Sequence, residues 1–209
     1  MPDQIRNNLQ NGYTVVNSVI SEDDRDRVVG LLPQIDNSGS RTLLRLEPFC
    51  DLARDLRAGV LSGFLEDLVA VECILFRKTS EHNWSVGLHR DEVLPVKGSG
   101  DWPSAGVKEG MTCARPTREI MDQCLAVRVH LDGAPIEDIS VVPGSHLDDE
   151  RHERISALPI AVPQCGALIM RPRLAHASSK LGEDQKRRVL HFVFAPPVLP
   201  EGYSWYFPV

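Results

Sequence analysis

The sequence predicts a mainly β fold braced by helices, with a jelly-roll core. Three observations carry this reading. From residue 71 onward the chain runs in short segments rich in β-branched and aromatic residues, separated by Gly, Pro and Asp. Helical periodicity is concentrated in the first third. The 209 residues, 42% hydrophobic and 25% charged, can bury one substantial core but not two. A single domain over 1–209 is expected, with an N-terminal strand and bracing helices in 1–70 and the β core in 71–195.

Residues 13–20, YTVVNSVI, read as the first strand. Ser21 then caps a helix, with Asp24 at the capping-box position, acidic residues in the first turn and Pro33 as the stop. A second helical stretch begins near Pro48. Leu52, Leu56, Val60, Phe64 and Leu68 recur every four residues on one face, and Gly59 and Gly63 mark a break. Strands follow at 71–78, 85–91, 124–132, 138–144, 159–162, 166–172 and 187–195. Eight short strands with few intervening helices suit a closed or two-sheet core. Residues 93–120 are rich in Gly and Pro and lack sustained periodicity; they are expected to form a lid loop with a short helix near 117–123. Trp102 within that segment is a candidate substrate cover.

Composition excludes several classes of function. The net charge of −6 argues against nucleic acid or an acidic membrane surface as the main partner. The five cysteines are widely spaced and odd in number, without a CxxC pair, as expected of reduced thiols in a cytoplasmic protein. The N-terminal MPDQIRNNLQNG is polar and lacks a signal-peptide core, and no apolar run approaches the roughly 18 residues of a membrane helix.

Seven histidines are present, and one triplet stands out, His89-Arg90-Asp91. Strand side chains alternate faces, so His89 and Asp91 point the same way and can converge on one ion while Arg90 points elsewhere. His176, where the chain leaves the strand GALIMRP, is the best third ligand. Two imidazoles and one carboxylate leave coordination positions open, which suits non-heme Fe(II) better than a closed structural zinc site. His146 in PGSH is a rival ligand. Arg187 and Arg188 lie on the following strand, where a guanidinium can hold a carboxylate bidentately; beside Glu183 and Asp184 they also fit an exposed ion-pair cluster. Arg128 and His130 share a strand face: Arg128 reads equally as a pocket residue or a structural ion pair, and His130 as a hydrogen-bonded core residue. His82, His152 and His191 suggest no function.

The segments LFRKTSEHNWSVGLHRDEVLPV (75–96), LAVRVHLDG (125–133), SVVPGSH (140–146), GALIMRPRLAHASS (166–179) and RRVLHFVFA (187–195) together resemble the phytanoyl-CoA dioxygenase family, in particular its compact bacterial members. NGYTVVNSVISEDD (11–24) also fits. The resemblance implies a double-stranded β-helix core, Fe(II) held by His89, Asp91 and His176, and 2-oxoglutarate and O2 as co-substrates. It matches the arginine for the far carboxylate of 2-oxoglutarate to Arg187, with Arg188 as the one-residue alternative. It also brings Ser178 and Lys78 to the co-substrate pocket, and Trp84 to its wall, where simple core packing is an equal alternative for Trp84. The implied activity is hydroxylation of a small-molecule substrate with release of succinate and CO2. Desaturation, epoxidation and cyclisation are alternatives. Asp91 argues against a halogenase variant, which needs that carboxylate missing. The competing class is a non-catalytic, cupin-like metal or small-molecule binding protein or sensor, which has no need of the arginine. A metal hydrolase lacks a well-placed general base.

Overall fold

In the computed structural model the described residues are 9–32, 39–149, 152, 157–183 and 185–209, with the backbone alone for 134–138. The expected helix stop at Pro33 and the acid at Asp184 lie outside them. In chain order the elements are β1 (Tyr13–Val16), α1 (Glu22–Leu31), a 3-10 turn (Leu43–Arg45), α2 (Glu47–Ala58), α3 (Ser62–Leu65) and β2 (Val69–Lys78). Next come β3 (Val86–His89), β4 (Leu94–Gly98), β5 (Ser104–Lys108), β6 (Met111–Ala114), α4 (Arg118–Met121), β7 (Leu125–His130) and β8 (Ala134–Val141). A second 3-10 turn (Ser145–Leu147) precedes β9 (Leu158–Val162), β10 (Ala167–Met170), β11 (His176–Ser178), β12 (Arg187–Ala195) and β13 (Tyr203–Trp205).

The strands form three antiparallel sheets: a major sheet β1-β10-β7-β12-β2, a minor sheet β3-β11-β8-β9, and a side sheet β13-β4-β6-β5. Strand alternation divides the major sheet into two faces. On the outer face Cys73, Leu75, Val127, Val129, Ile169, Leu190 and Phe192 pack against Val28, Phe49, Leu52, Leu56 and Leu65 of the helices. On the inner face Ala126, Leu168 and Met170 meet Ile139, Val141 and Val162 of the minor sheet. That second contact fills one end of the space between the sheets; the other end is left to polar side chains.

Local chemistry explains the helices. Ser21 Oγ accepts a hydrogen bond from Asp24 N at 3.1 Å, and three acids occupy the first turn of α1. Ser21→Ala should therefore lower stability by about 1 kcal/mol, read as a reduced urea midpoint at unchanged slope. Gly59 ends α2, where a Cβ would sit 2.7 Å from Asp55 O. The four-residue face predicted across this break is interrupted rather than ended, because Phe64 and Leu68 pack against the same core. Leu52 and Leu56 are buried, but Val60 lies past the helix end and is exposed.

Residues 93–120 are not a structureless loop. They contribute β4, β5, β6 and α4, and the first three make most of the side sheet. Glycine turns and short strands masked the period-2 pattern. Trp102 does not cover the cavity; its ring stacks on Tyr203 at 4.0 Å and 10°. No helix among the described residues is long and apolar enough to cross a membrane.

Candidate metal and co-substrate site

One cavity of about 340 Å3 opens between the major and minor sheets. Eight of the nine residues expected to hold the metal or the co-substrate line it: Lys78, Trp84, His89, Asp91, Arg128, His176, Ser178 and Arg187. The ninth, Arg188, does not reach it.

Strand pairing brings the three candidate ligands together. β11 lies antiparallel to β3 with His176 directly opposite His89, and their rings are 4.2 Å apart. β3 ends at His89, so Asp91 is not a strand residue as expected. Its backbone N–H donates to Pro172 O at 2.9 Å, which turns the carboxylate back toward both rings. His89 Nε2 is 3.6 Å from Asp91 Oδ1, and His176 Nε2 is 3.6 Å from Asp91 Oδ2. One ligand atom from each residue lies within 4.8 Å of the others.

Hydrogen bonds set the ring tautomers. His89 Nδ1 is 2.9 Å from Gly87 O, and His176 Nδ1 is 2.9 Å from Leu174 O. A carbonyl oxygen only accepts, so Nδ1 carries the proton in each ring and Nε2 presents its lone pair. Burial also lowers the His176 pKa to about 4, which keeps its ring neutral near pH 7. Two imidazole lone pairs and a carboxylate thus face one another at distances too long for hydrogen bonds. Such a cluster fits a divalent cation, which needs neutral imidazoles and an ionised carboxylate.

A third histidine, given no role from the sequence, completes the surroundings. His191 Nε2 is 3.7 Å from Asp91 Oδ2, and its Nδ1 is 3.3 Å from Arg128 Nη1. A guanidinium only donates, so Nδ1 accepts and Nε2 holds the proton. In this tautomer His191 presents no lone pair to Asp91 and differs in kind from the other two rings. The residues 187, 189, 191 and 193 share a strand face, so the alternation that turns Arg187 inward also turns His191 inward. Glu72 was missed as well: a charged residue inside VECILF, with the same parity as Lys78, is the corresponding signal.

The far wall of the cavity is cationic. Lys78 lies opposite Arg187 in the β2–β12 pairing, and both are almost fully buried. Ser178 Oγ accepts from Lys78 Nζ at 2.6 Å and from Arg187 Nη2 at 3.2 Å. Lys78 also donates to Ser179 O at 2.6 Å and sits 5.4 Å from the Trp84 ring. Burial, then Arg187 and Arg128, lowers the Lys78 pKa to about 7. Burial and Arg128 likewise lower Arg187. Arg128, over the Phe76 ring at 5.4 Å, has no hydrogen-bond partner for Nε among the described residues. Buried cations pressing on one another around a hydroxyl make a receptor for an anion.

Arg188 is a correction. Adjacent strand residues face opposite ways, and Arg188 donates through Nε to Asp132 Oδ2 at 2.8 Å on the other face of β12. Arg187 is 2% exposed, so the two arginines do not form an exposed hairpin cluster. His146 is not in the cavity either: it packs beside Gly12, where a Cβ would lie 2.5 Å from its Nδ1. His130 is fully buried, but neither ring nitrogen has a hydrogen-bond partner among the described residues, contrary to the bonded core role expected.

No family model and no curated protein matches the chain. Solved structures do. HygX from Streptomyces hygroscopicus, with nickel and 2-oxoglutarate bound, superposes with a TM-score of 0.67 at 16% identity, covering 96% of this chain and 89% of that one. EvdO2 from Micromonospora carbonacea var. aurantiaca, complexed with 2-oxoglutarate, gives 0.69 at 17% identity, covering 92% and 90%. SnoN, a non-heme alpha-ketoglutarate-dependent epimerase from nogalamycin biosynthesis, gives 0.59 at 15%, covering 92% and 81%. The chain has their fold. The likeness, spanning nearly the whole of this chain, establishes the double-stranded β-helix core expected from the sequence.

Proposed function

We propose that the protein is an Fe(II)- and 2-oxoglutarate-dependent dioxygenase of the phytanoyl-CoA dioxygenase type, hydroxylating a small-molecule substrate. The observation that carries this reading is the His89–Asp91–His176 cluster sharing one cavity with the buried Lys78–Ser178–Arg187 group. A metal-binding protein without turnover has no need of the second group. Structures of the same fold hold 2-oxoglutarate, and HygX has been captured with iron as well, which supports the assignment.

In this reading His89, Asp91 and His176 are the metal ligands, and Arg187 and Lys78 hold the far carboxylate of 2-oxoglutarate, with Ser178 between them. When bound, the iron and 2-oxoglutarate supply oxidising chemistry that consumes O2, releases succinate and CO2 and leaves one oxygen atom on the substrate. The chain supplies the rest. Carbonyl contacts from Gly87 and Leu174 hold the ligand rings in one tautomer. His191 and Arg128 flank the Asp91 carboxylate. Trp84 and Phe76 wall the cavity and limit water around the buried cations.

The decisive test is anaerobic. Fe(II) is added to metal-free protein, 2-oxoglutarate is titrated, and the visible charge-transfer absorption of the chelate is followed. A saturable band is expected; iron binding without a band would instead favour the non-catalytic binding protein.

The lowered Lys78 pKa adds a pH signature. Above about pH 7 the free ammonium increasingly loses its proton, and binding a dianion must restore it. Affinity for 2-oxoglutarate should fall as pH rises from 7 to 9, by up to about tenfold per unit. Lys78→Met should bind more weakly below pH 7 and show a flatter profile.

A further inference from the structure

The cavity continues past the metal cluster, away from Lys78 and Arg187. Along β2 the inward residues are Lys78, Phe76, Ile74 and Glu72, so the Cα atoms of the first and last are about 20 Å apart. Ile74 pairs with His191, at the level of the metal cluster, and Glu72 pairs with Val193 one step beyond. Glu72 is 4% exposed and accepts from Arg41 Nη1 at 3.0 Å. Lys108, from the side sheet, lines the same end.

Arg41 and Lys108 are brought to this end by one device. Leu75 N donates to Ser40 O at 2.9 Å, and Thr42 bridges Cys73, so residues 40–42 lie along the free edge of β2. Glu109, in the turn next to Lys108, accepts from Arg41 N at 3.0 Å, and its carboxylate also takes Ser40 Oγ at 3.3 Å. The turn that carries Lys108 therefore clamps the segment that carries Arg41.

Charge balance says what this end is for. Arg41, Lys78, Arg90, Lys108, Arg128 and Arg187 line the cavity against Glu72, Asp91 and Glu92, an excess of three positive charges in a chain of net charge −6. Setting aside Arg90 and Glu92, which pair with Asp148 and Arg115, leaves the excess unchanged. Fe(II) and a 2-oxoglutarate dianion together add no net charge. The loaded cavity thus remains strongly cationic, and Arg41 and Lys108 are its cations remote from the co-substrate wall.

We infer that Arg41 and Lys108 bind an anionic group, a carboxylate or a phosphate, on the primary substrate, with Glu72 positioning Arg41. This rests on the oxygenase reading and names the substrate class for it. Among the described residues Lys108 makes no ion pair; its charge acts on Glu72 only from a longer distance.

The test uses anaerobic Fe(II)-loaded protein saturated with 2-oxoglutarate. Inorganic phosphate, acetate and methylammonium are titrated separately, with binding read as 31P or 1H line broadening by the iron. Phosphate or acetate should broaden saturably and methylammonium should not; the tighter anion identifies the group. Lys108→Gln and Arg41→Gln should each weaken anion binding by about tenfold, while 2-oxoglutarate affinity stays within about twofold. Thermal melts check folding; if Arg41→Gln unfolds by stranding Glu72, Lys108→Gln decides alone. Three results overturn the inference: no saturable anion binding, anion binding unchanged in Lys108→Gln, or preferred methylammonium binding that Glu72→Gln abolishes. Failure of the oxygenase reading registers separately, as absent 2-oxoglutarate binding. The anion titration on Arg187→Ala protein then still reports on Arg41 and Lys108.

Discussion

Asp91→Ala is expected to abolish Fe(II) binding at micromolar protein and, with it, turnover. The carboxylate is the one anionic member of the cluster and the group that both ligand histidines face at 3.6 Å. Without it, the His89 and His176 rings stand beside His191 in its proton-bearing tautomer and the Arg128 guanidinium, and nothing offsets the charge of a divalent ion. Losing a partner that merely orients a metal ligand already costs 10–100-fold in affinity, so losing the ligand should cost more than about 100-fold. Asp91→Asn separates charge from shape: it keeps the side-chain volume and should still lose most of the affinity. Equilibrium dialysis against Fe(II) under argon measures both variants. Iron binding within threefold of wild type in Asp91→Ala would remove the metal assignment, and the oxygenase reading with it.

Arg187→Ala and Arg188→Ala should behave as opposites despite being neighbours. Arg187 faces Ser178 and Lys78 across β12, and its guanidinium should give about 1.5–3 kcal/mol to a bound carboxylate. Its removal should therefore weaken 2-oxoglutarate binding about 10- to 150-fold with little effect on Fe(II) binding. Arg188→Ala should leave 2-oxoglutarate affinity within about twofold. Its cost falls on stability, because Asp132, 7% exposed at its side chain, loses the guanidinium donor at 2.8 Å and keeps the backbone N–H of residue 188 at 2.9 Å and Arg25 at 3.6 Å. A loss of about 1–3 kcal/mol is expected. Co-substrate titration and urea denaturation on the same two proteins check the pair. Equal losses of 2-oxoglutarate affinity would contradict the facing of the strand.

The site was legible in sequence where chemistry and strand alternation coincide. His89 and Asp91 are two apart, so the pleat predicts a shared direction, although β3 ends at His89 and the hydrogen bond from Asp91 N to Pro172 O is what delivers it; Lys78 and Arg187 lie on strands whose bounds are close to those expected. His191 and Glu72 obey the same parity as residues already chosen. One histidine or one glutamate in an apolar strand nevertheless reads as core until its neighbours are known. Arg41 carried no signal. It lies outside any regular element and reaches the cavity because residues 40–42 cover the edge of β2 and Glu109 clamps them. The side sheet was hidden for a related reason: its strands are three to five residues long and those in 93–120 are broken by glycine turns, too short for a period to emerge.

By itself the sequence determined the β-rich class, the helical brace, the His89–Asp91 pair and the identity of the basic residues around it. Each depends on side-chain type or on periods of two and about four residues, which are local properties of the chain. The tertiary structure alone decided that His176 stands opposite His89, that Arg187 rather than Arg188 enters the cavity, and that Arg41 and Lys108 both line it. Those outcomes depend on which strands pair and in what register, and pairing is set by burial of the two sheet faces against helices and against each other, a quantity no short segment contains.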